Sequence, residues 1–314
     1  MSSTNAINFS LRQNKSIERH IVFDALKQGK EFIGSEPVYV GLGSIWFQDF
    51  QLAYRNLNCT TLISIEQDPD IFQRALFNRP FNNIEIVEGW THEELPSLLN
   101  RDGLSERPWI VWLDFDAAMN WDRLEELRYL VTNLPPRSVL LSTFNANPRN
   151  YAVNSDNRRA ALERIFGKYI VPANLGLSFL KNPEFMKLLA KYTLNSLVSH
   201  SMAGRNRARF IPGIRLLYKD TQNMVTVGGF LPEESDRQAC EDLINDVKWC
   251  GMDDDLIFSQ PLTMREIQAL SSLLPAEGGL TAEAMEEVGI VLEEEQRELF
   301  ERHWLRYPIY AELV

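Results

Sequence analysis

Short continuous apolar runs recur along the first half of the chain: Val38-Tyr39-Val40, Leu62-Ile63, Ile110-Val111-Trp112-Leu113 and Val139-Leu140-Leu141. Apolar residues at consecutive rather than alternate positions mark strands covered on both faces. The pattern predicts strands at 38–40, 61–65, 84–87, 109–113 and 138–143, with helices at about 46–57, 69–78, 92–99 and 121–131 between them. Five strands alternating with helices imply a parallel, doubly wound sheet. Asp68-Pro69 places a cap before a proline, and Thr91-x-x-Glu94 reads as a capping box. Upstream, Asn14 or Ser16 is expected to cap a helix running to about Gln28, with Ile17, Ile21 and Ala25 on one face.

Past Phe144 the rhythm changes. Helices are expected at 156–167 and 183–203, then strands at 210–218 and 224–230 whose five-residue separation predicts an antiparallel hairpin. From Ser235 onward the chain reads as helical, with capping boxes at Ser235-x-x-Gln238 and Thr263-x-x-Glu266 and helices near 264–274, 281–288 and 294–306. Pro261 and Gly278-Gly279 punctuate this stretch. The expected organisation is an N-terminal helical segment (1–36), an α/β domain (37–251) containing a basic insertion (145–209), and a C-terminal helical region (252–314).

Charge divides the chain differently from its net value of −11. Residues 1–144 hold 13 Lys+Arg against 19 Asp+Glu, residues 145–219 hold 13 against 3, and residues 233–314 hold 6 against 20. A basic block between acidic ends suggests either a surface for an anionic ligand or two parts that attract each other. No run of roughly 18 apolar residues suggests a membrane span, and Met1–Asn8 lacks an apolar signal core, so a cytoplasmic protein is expected. Cys59, Cys240 and Cys250 are too few and scattered for a disulfide framework or a zinc site.

The chemistry concentrates where the first strand empties into Gly41-Leu42-Gly43-Ser44 and the second ends on Glu66. A strand, a glycine turn, a helix and a second strand closed by a carboxylate describe the nucleotide-gripping half of a Rossmann-like sheet. Glu66 there can accept the hydroxyls of a ribose. βα turns also use glycine for steric reasons alone.

This order of parts resembles class I S-adenosylmethionine-dependent methyltransferases over roughly residues 37–231. The resemblance rests on the glycine turn, Glu66, the acidic turn Glu88-Gly89, Asp114 ending the fourth strand, and the terminal hairpin. Gly41–Phe50, Phe77–Phe81 and Trp112–Asp116 also resemble bacterial proteins called "putative O-methyltransferases". It implies a Rossmann-like, seven-stranded, mostly parallel sheet ending in an antiparallel hairpin, plus the small C-terminal helical region. It implies S-adenosyl-L-methionine as cofactor, with Gly41, Gly43 and Ser44 beside its methionine part, Glu66 on the ribose, Glu88, Gly89 or Trp90 flanking the adenine, and Asp114 also on the cofactor edge. Tyr39 stands where that class usually carries an acidic residue.

Asp114 and Asp116 are the candidate catalytic pair, as base or as substrate-orienting groups; a metal between them is the less favoured reading. Arg149, Arg205 and Arg207 are the candidate substrate-binding residues, pointing to an anionic or phosphate-bearing acceptor. Nucleic acid is less favoured, since a backbone binder tends to be basic overall. His200, between Ser199 and Ser201, is the candidate histidine base. The competing expectation is a non-catalytic methyltransferase-fold module that engages a protein partner through its acidic C-terminal region; a nucleotide-using reductase is third.

Overall fold

The computed structural model describes residues 12–172, 174–205 and 208–308. Five parallel strands form one half of its sheet: β1 (Val38–Gly41), β2 (Thr61–Glu66), β3 (Ile84–Glu88), β4 (Trp109–Ala118) and β5 (Ser138–Asn145). The intervening helices are α2 (Gln48–Leu57), α3 (Pro69–Asn78), α4 (Thr91–Leu99) and α5 (Trp121–Asn133). The N-terminal helix α1 spans Gln13–Gln28, and α6 (Ser155–Phe166) and α7 (Glu184–Gly204) follow β5. The hairpin is β6 (Ile211–Lys219) with β7 (Asn223–Leu231).

The sheet has eight strands, in the order β3-β2-β1-β4-β5-β7-β6-β8, where the sequence pattern predicts seven. The additional strand, β8 (Met252–Ile257), pairs parallel with β6. Its sequence MDDDLI has no apolar run to announce it, because it is an edge strand held by ion pairs: Arg215–Asp254 at 2.9 Å and Arg302–Asp255 at 3.3 Å. Charged residues on an edge also discourage pairing with another chain.

Alternation along each strand sorts the core into two layers. Val38, Val40, Trp109, Val111 and Leu113 pack with α4, α5 and α7 on one face. Tyr39, Ile110 and Trp112 pack with α1 and α2 on the other. Asp114 continues the alternation of Ile110 and Trp112, and its carboxylate is accordingly found bonded to α1.

Helix starts were legible where a side chain does cap: Asp68 accepts from the Asp70 and Ile71 amides, and Thr263 and Glu266 complete the capping box of α9 (Met264–Ser271). Three expected caps differ. Asn14 and Ser16 lie inside α1, which begins after Arg12; their side chains reach across to the Lys219 and Arg306 carbonyls. Thr91 is the first residue of α4 rather than its cap. Ser235 sits in a short 3-10 turn before α8 (Arg237–Ile244). In each case a tertiary acceptor or an extra turn takes the group that local spacing assigns to a cap.

Two short helices, α10 (Ala282–Glu287) and α11 (Glu294–His303), complete the C-terminal region. It docks on α1: Arg306 pairs with Asp24 at 2.7 Å, Gln13 donates to the Leu262 carbonyl, and Ser259 bonds Asn14. Among the described residues no helix is long and apolar enough to cross a membrane.

Candidate functional site

A cavity of about 1000 Å³ opens where the strands β1, β2 and β4 end. That edge is where ligands bind in open α/β sheets, because the helix N-termini and loops converge there. Its wall includes Gly43, Ser44, Glu66, Gly89, Trp90, Asp114 and Asp116 of the residues expected from sequence. Gly41 and Glu88 are not part of the wall; Glu88 is exposed, one strand outward from Glu66 in register.

The glycine turn is tight for internal reasons. A Cβ on Gly43 would stand 2.6 Å from the Phe47 ring, and one on Gly41 would stand 3.1 Å from Asp49 Oδ2. The glycines therefore admit the chain's own α2 residues beneath the turn. Ser44 and Phe47 take left-handed backbone (φ 51° and 50°), a conformation costing about 1–2 kcal/mol for a residue with a Cβ. Among the described residues Ser44 Oγ and Trp46 Nε1 are buried with no hydrogen-bond partner, and both residues line the cavity. Orphaned polar atoms at a strained turn are what a bound ligand would satisfy.

Glu66 ends β2 with one carboxylate oxygen accepting from the Asp68 amide at 3.0 Å, while partial burial pushes its carboxyl above the usual range. Trp90 is 53% exposed, so it is a free aromatic face on the wall rather than a core residue. Its ring lies 6.1 Å from that of His92, which also lines the cavity. His200 by contrast sits on α7 outside the wall, its ring nitrogen bonded to the Ser196 carbonyl.

The two candidate catalytic carboxylates are differently held. Asp114 Oδ2 is 2.8 Å from Lys15 Nζ, and Lys15 also meets Glu18 at 3.2 Å. Lys15 is buried over the rings of Trp112 and Tyr218, with Glu18 receiving the Thr226 hydroxyl. Burial opposes the charge on Lys15, yet Asp114 and Glu18 outweigh it and raise its pKa. Asp114 is thereby clamped from below. The β4–β5 pairing slips between Asp114 and Ala118, and this irregularity carries Asp116 out to an exposed position on the rim.

The expected substrate arginines are not brought together. Arg205 donates to the carbonyls of Val131, Thr132 and Leu134, closing the C-terminus of α5. Arg149 is exposed on the 3-10 turn after β5, and Arg207 lies outside the described residues. The arginines on the cavity wall are Arg123, which bonds the Ala118 carbonyl, and Arg19 of α1. Sequence reasoning missed Arg19, Lys15 and Asp49. The available signal was that polar residues occupy the first half of a helix whose second half is apolar.

Charge on the wall is lopsided: Asp49 from α2, Glu66 at the end of β2 and Asp68 after it, Asp114 and Asp116 on β4, and Asp122, Glu125 and Glu126 from α5 give eight carboxylates against two arginines. Glu126 is half-buried, which raises its carboxyl, and one of its oxygens has no partner. Among the described residues no group of three or more His, Cys, Asp and Glu is arranged to hold a metal ion.

Several solved structures are similar to this chain. It is similar to the Methanococcus jannaschii fibrillarin pre-rRNA processing protein (12% identity, 64% of this chain and 69% of that one, TM-score 0.39). It is also similar to Trm1 from Pyrococcus horikoshii, solved with S-adenosyl-L-methionine (13%, 68% and 54%, 0.44), and to an O-methyltransferase from Bacillus cereus solved with S-adenosylhomocysteine (12%, 67% and 79%, 0.39). No curated protein matches the sequence significantly. A family model described as "Putative O-methyltransferase" matches residues 7–314, nearly the whole length, and the chain belongs to that family.

Proposed function

We propose that the protein transfers a methyl group from S-adenosylmethionine to an oxygen acceptor at the edge of β1, β2 and β4. Family membership supports the reaction class, and the acidic cavity is the observation that carries the cofactor assignment. A wall of eight carboxylates and two arginines suits a ligand bearing a sulfonium and an ammonium, and repels the pyrophosphate of a dinucleotide. That charge balance counts against the reductase reading.

The residues present fit such a ligand. Glu66 offers carboxylate oxygen to ribose hydroxyls, Trp90 an exposed ring for adenine to stack on, and Ser44 Oγ and Trp46 Nε1 unsatisfied polar groups at the glycine turn. When bound, the cofactor supplies an electrophilic methyl group. Displacement at that carbon needs the acceptor oxygen in line and free of its proton. Asp114, immobilised by Lys15, is the group placed to orient the acceptor hydroxyl or take its proton, with Asp116 assisting from the rim.

The acceptor is proposed to carry its anionic group outside the acidic wall, only the hydroxyl that receives the methyl reaching Asp114. Support comes from Arg149, exposed four residues beyond the end of β5 on the same edge of the sheet, since Arg205 is engaged by backbone carbonyls.

Calorimetric titration with S-adenosylhomocysteine tests the cofactor reading. Micromolar affinity in the wild type, reduced about ten-fold or more in Glu66→Ala and Trp90→Ala, is expected. Absence of binding to the wild type sinks the cofactor assignment and leaves a non-catalytic module that binds a protein partner.

A further inference from the structure

Arg19 and Asp49 come from α1 and α2, helices that pack on each other, and both reach the cavity wall. Arg19 is only 8% exposed, and among the described residues its guanidinium has neither an ion-pair partner nor a hydrogen-bond acceptor. The guanidinium nitrogens are not sealed from solvent: the five donors open into the cavity, where an entering anion can meet them. The other cations nearby are already engaged: Lys15 by Asp114 and Glu18, Arg123 by the Ala118 carbonyl.

Asp49 is the counterpart. The Tyr39 hydroxyl donates to its Oδ2 at 2.6 Å, and this bond fixes the carboxylate over Gly41, where β1 ends. Burial raises the Asp49 carboxyl, while the Tyr39 bond and the charge of Arg19 pull it back down. Arg19 and Asp49 thus feel each other without closing into an ion pair. Two opposite charges held apart on one wall are complementary to a ligand carrying an anion and a cation on one carbon.

We propose that Arg19 and Asp49 form the recognition site for an α-amino acid head group, Arg19 taking the carboxylate and Asp49 the ammonium, and that the ligand end they hold is the methionine part of the cofactor. The inference rests on the cofactor reading above. It makes α1, which lies outside the α/β domain expected from sequence, part of the binding site. It also gives Tyr39 a role: the phenol on β1 holds in place a carboxylate that β1 itself does not carry.

The test is calorimetry on the full chain with S-adenosylhomocysteine, its decarboxylated and deaminated analogues, and 5′-methylthioadenosine, which lacks the amino acid end. Wild-type protein is expected to bind S-adenosylhomocysteine about ten-fold or more tighter than either truncated analogue. This comparison needs no variant and so survives any folding defect. Arg19→Met is expected to bring S-adenosylhomocysteine down to the level of the decarboxylated analogue while leaving that analogue's affinity unchanged. Asp49→Asn is expected to do the same for the deaminated analogue. Equal wild-type affinity for the parent and the decarboxylated compound overturns the assignment of Arg19, as does an equal loss for every ligand in Arg19→Met. Wild-type binding of methylthioadenosine alongside either result keeps the cofactor cavity and removes only the head-group site, whereas failure to bind any of the four removes both.

Discussion

The cavity wall and the basic segment 145–219 are opposite in charge, and their charges do opposite kinds of work. The segment holds 13 Lys+Arg against 3 Asp+Glu, yet several of its arginines are engaged within the protein itself. Arg158 bonds the Pro148, Ala152, Val153 and Leu180 carbonyls, Arg205 closes α5, and Arg159 pairs with Glu163. The wall draws its charged groups from scattered places, Arg19 on α1, Asp49 on α2 and Asp114 on β4, with Lys15 gripping Asp114 from behind, and leaves several of them facing the cavity. A dense charge block in sequence is therefore a poor guide to a binding surface when the segment contains irregular turns whose carbonyls need donors.

Four substitutions probe this contrast. Lys15→Met should have the largest effect, lowering unfolding free energy in urea by about 3–5 kcal/mol, because it strands Glu18 and Asp114 without their buried partner. The Lys15 pKa is raised, so its stabilisation is fully present below the ordinary value of 10.5; the loss in Lys15→Met should be constant from neutral pH to about pH 9. A loss below 1 kcal/mol would mean the cluster is held by packing alone. Arg158→Ala should cost about 2–3 kcal/mol through four vacated carbonyls while leaving S-adenosylhomocysteine affinity within two-fold. If affinity fell with stability, the basic segment would be part of the cavity's machinery after all.

Glu66→Gln should weaken S-adenosylhomocysteine by about ten-fold with little change in stability. Its carboxyl is raised by burial, so the free protein retains that proton above the ordinary value of 4.5 and loses stability as pH rises through the window where it is released. Ribose hydroxyls favour the ionised form. Wild-type affinity should accordingly strengthen as pH rises through that window, and Glu66→Gln should lose the part of this dependence that belongs to Glu66, keeping the part from Asp49, whose carboxyl burial also raises. Arg149→Ala should be smallest, within about 0.5 kcal/mol in stability and without effect on cofactor affinity, since the side chain is exposed. Loss of methyl transfer to an anionic acceptor in this variant, with cofactor binding intact, would support the proposed acceptor class.

Much of the fold was legible because strands covered on both faces must be apolar at consecutive positions; β1, β2, β4 and β5 announced themselves that way. β8 did not, because an edge strand stabilised by Arg215 and Arg302 needs no apolar run. Asn14 and Ser16 read as caps because cap chemistry is local, whereas their actual partners lie more than 200 residues away. Gly43, Ser44, Glu66, Gly89, Trp90, Asp114 and Asp116 lie on the cavity wall because topology brings the ends of their strands to one edge of the sheet.

The sequence by itself determined the alternation of strands and helices, and with it which loops meet at one edge of the sheet, since both follow from hydrophobic period and connection rules. Only the tertiary structure decided that Lys15 grips Asp114, that Asp49 stands over Gly41 on the hydroxyl of Tyr39, and that Arg19 faces the cavity without a partner among the described residues. Those outcomes depend on where α1 packs across strands far from it in the chain, and charge at a buried site acts through distance in space, which no local pattern encodes.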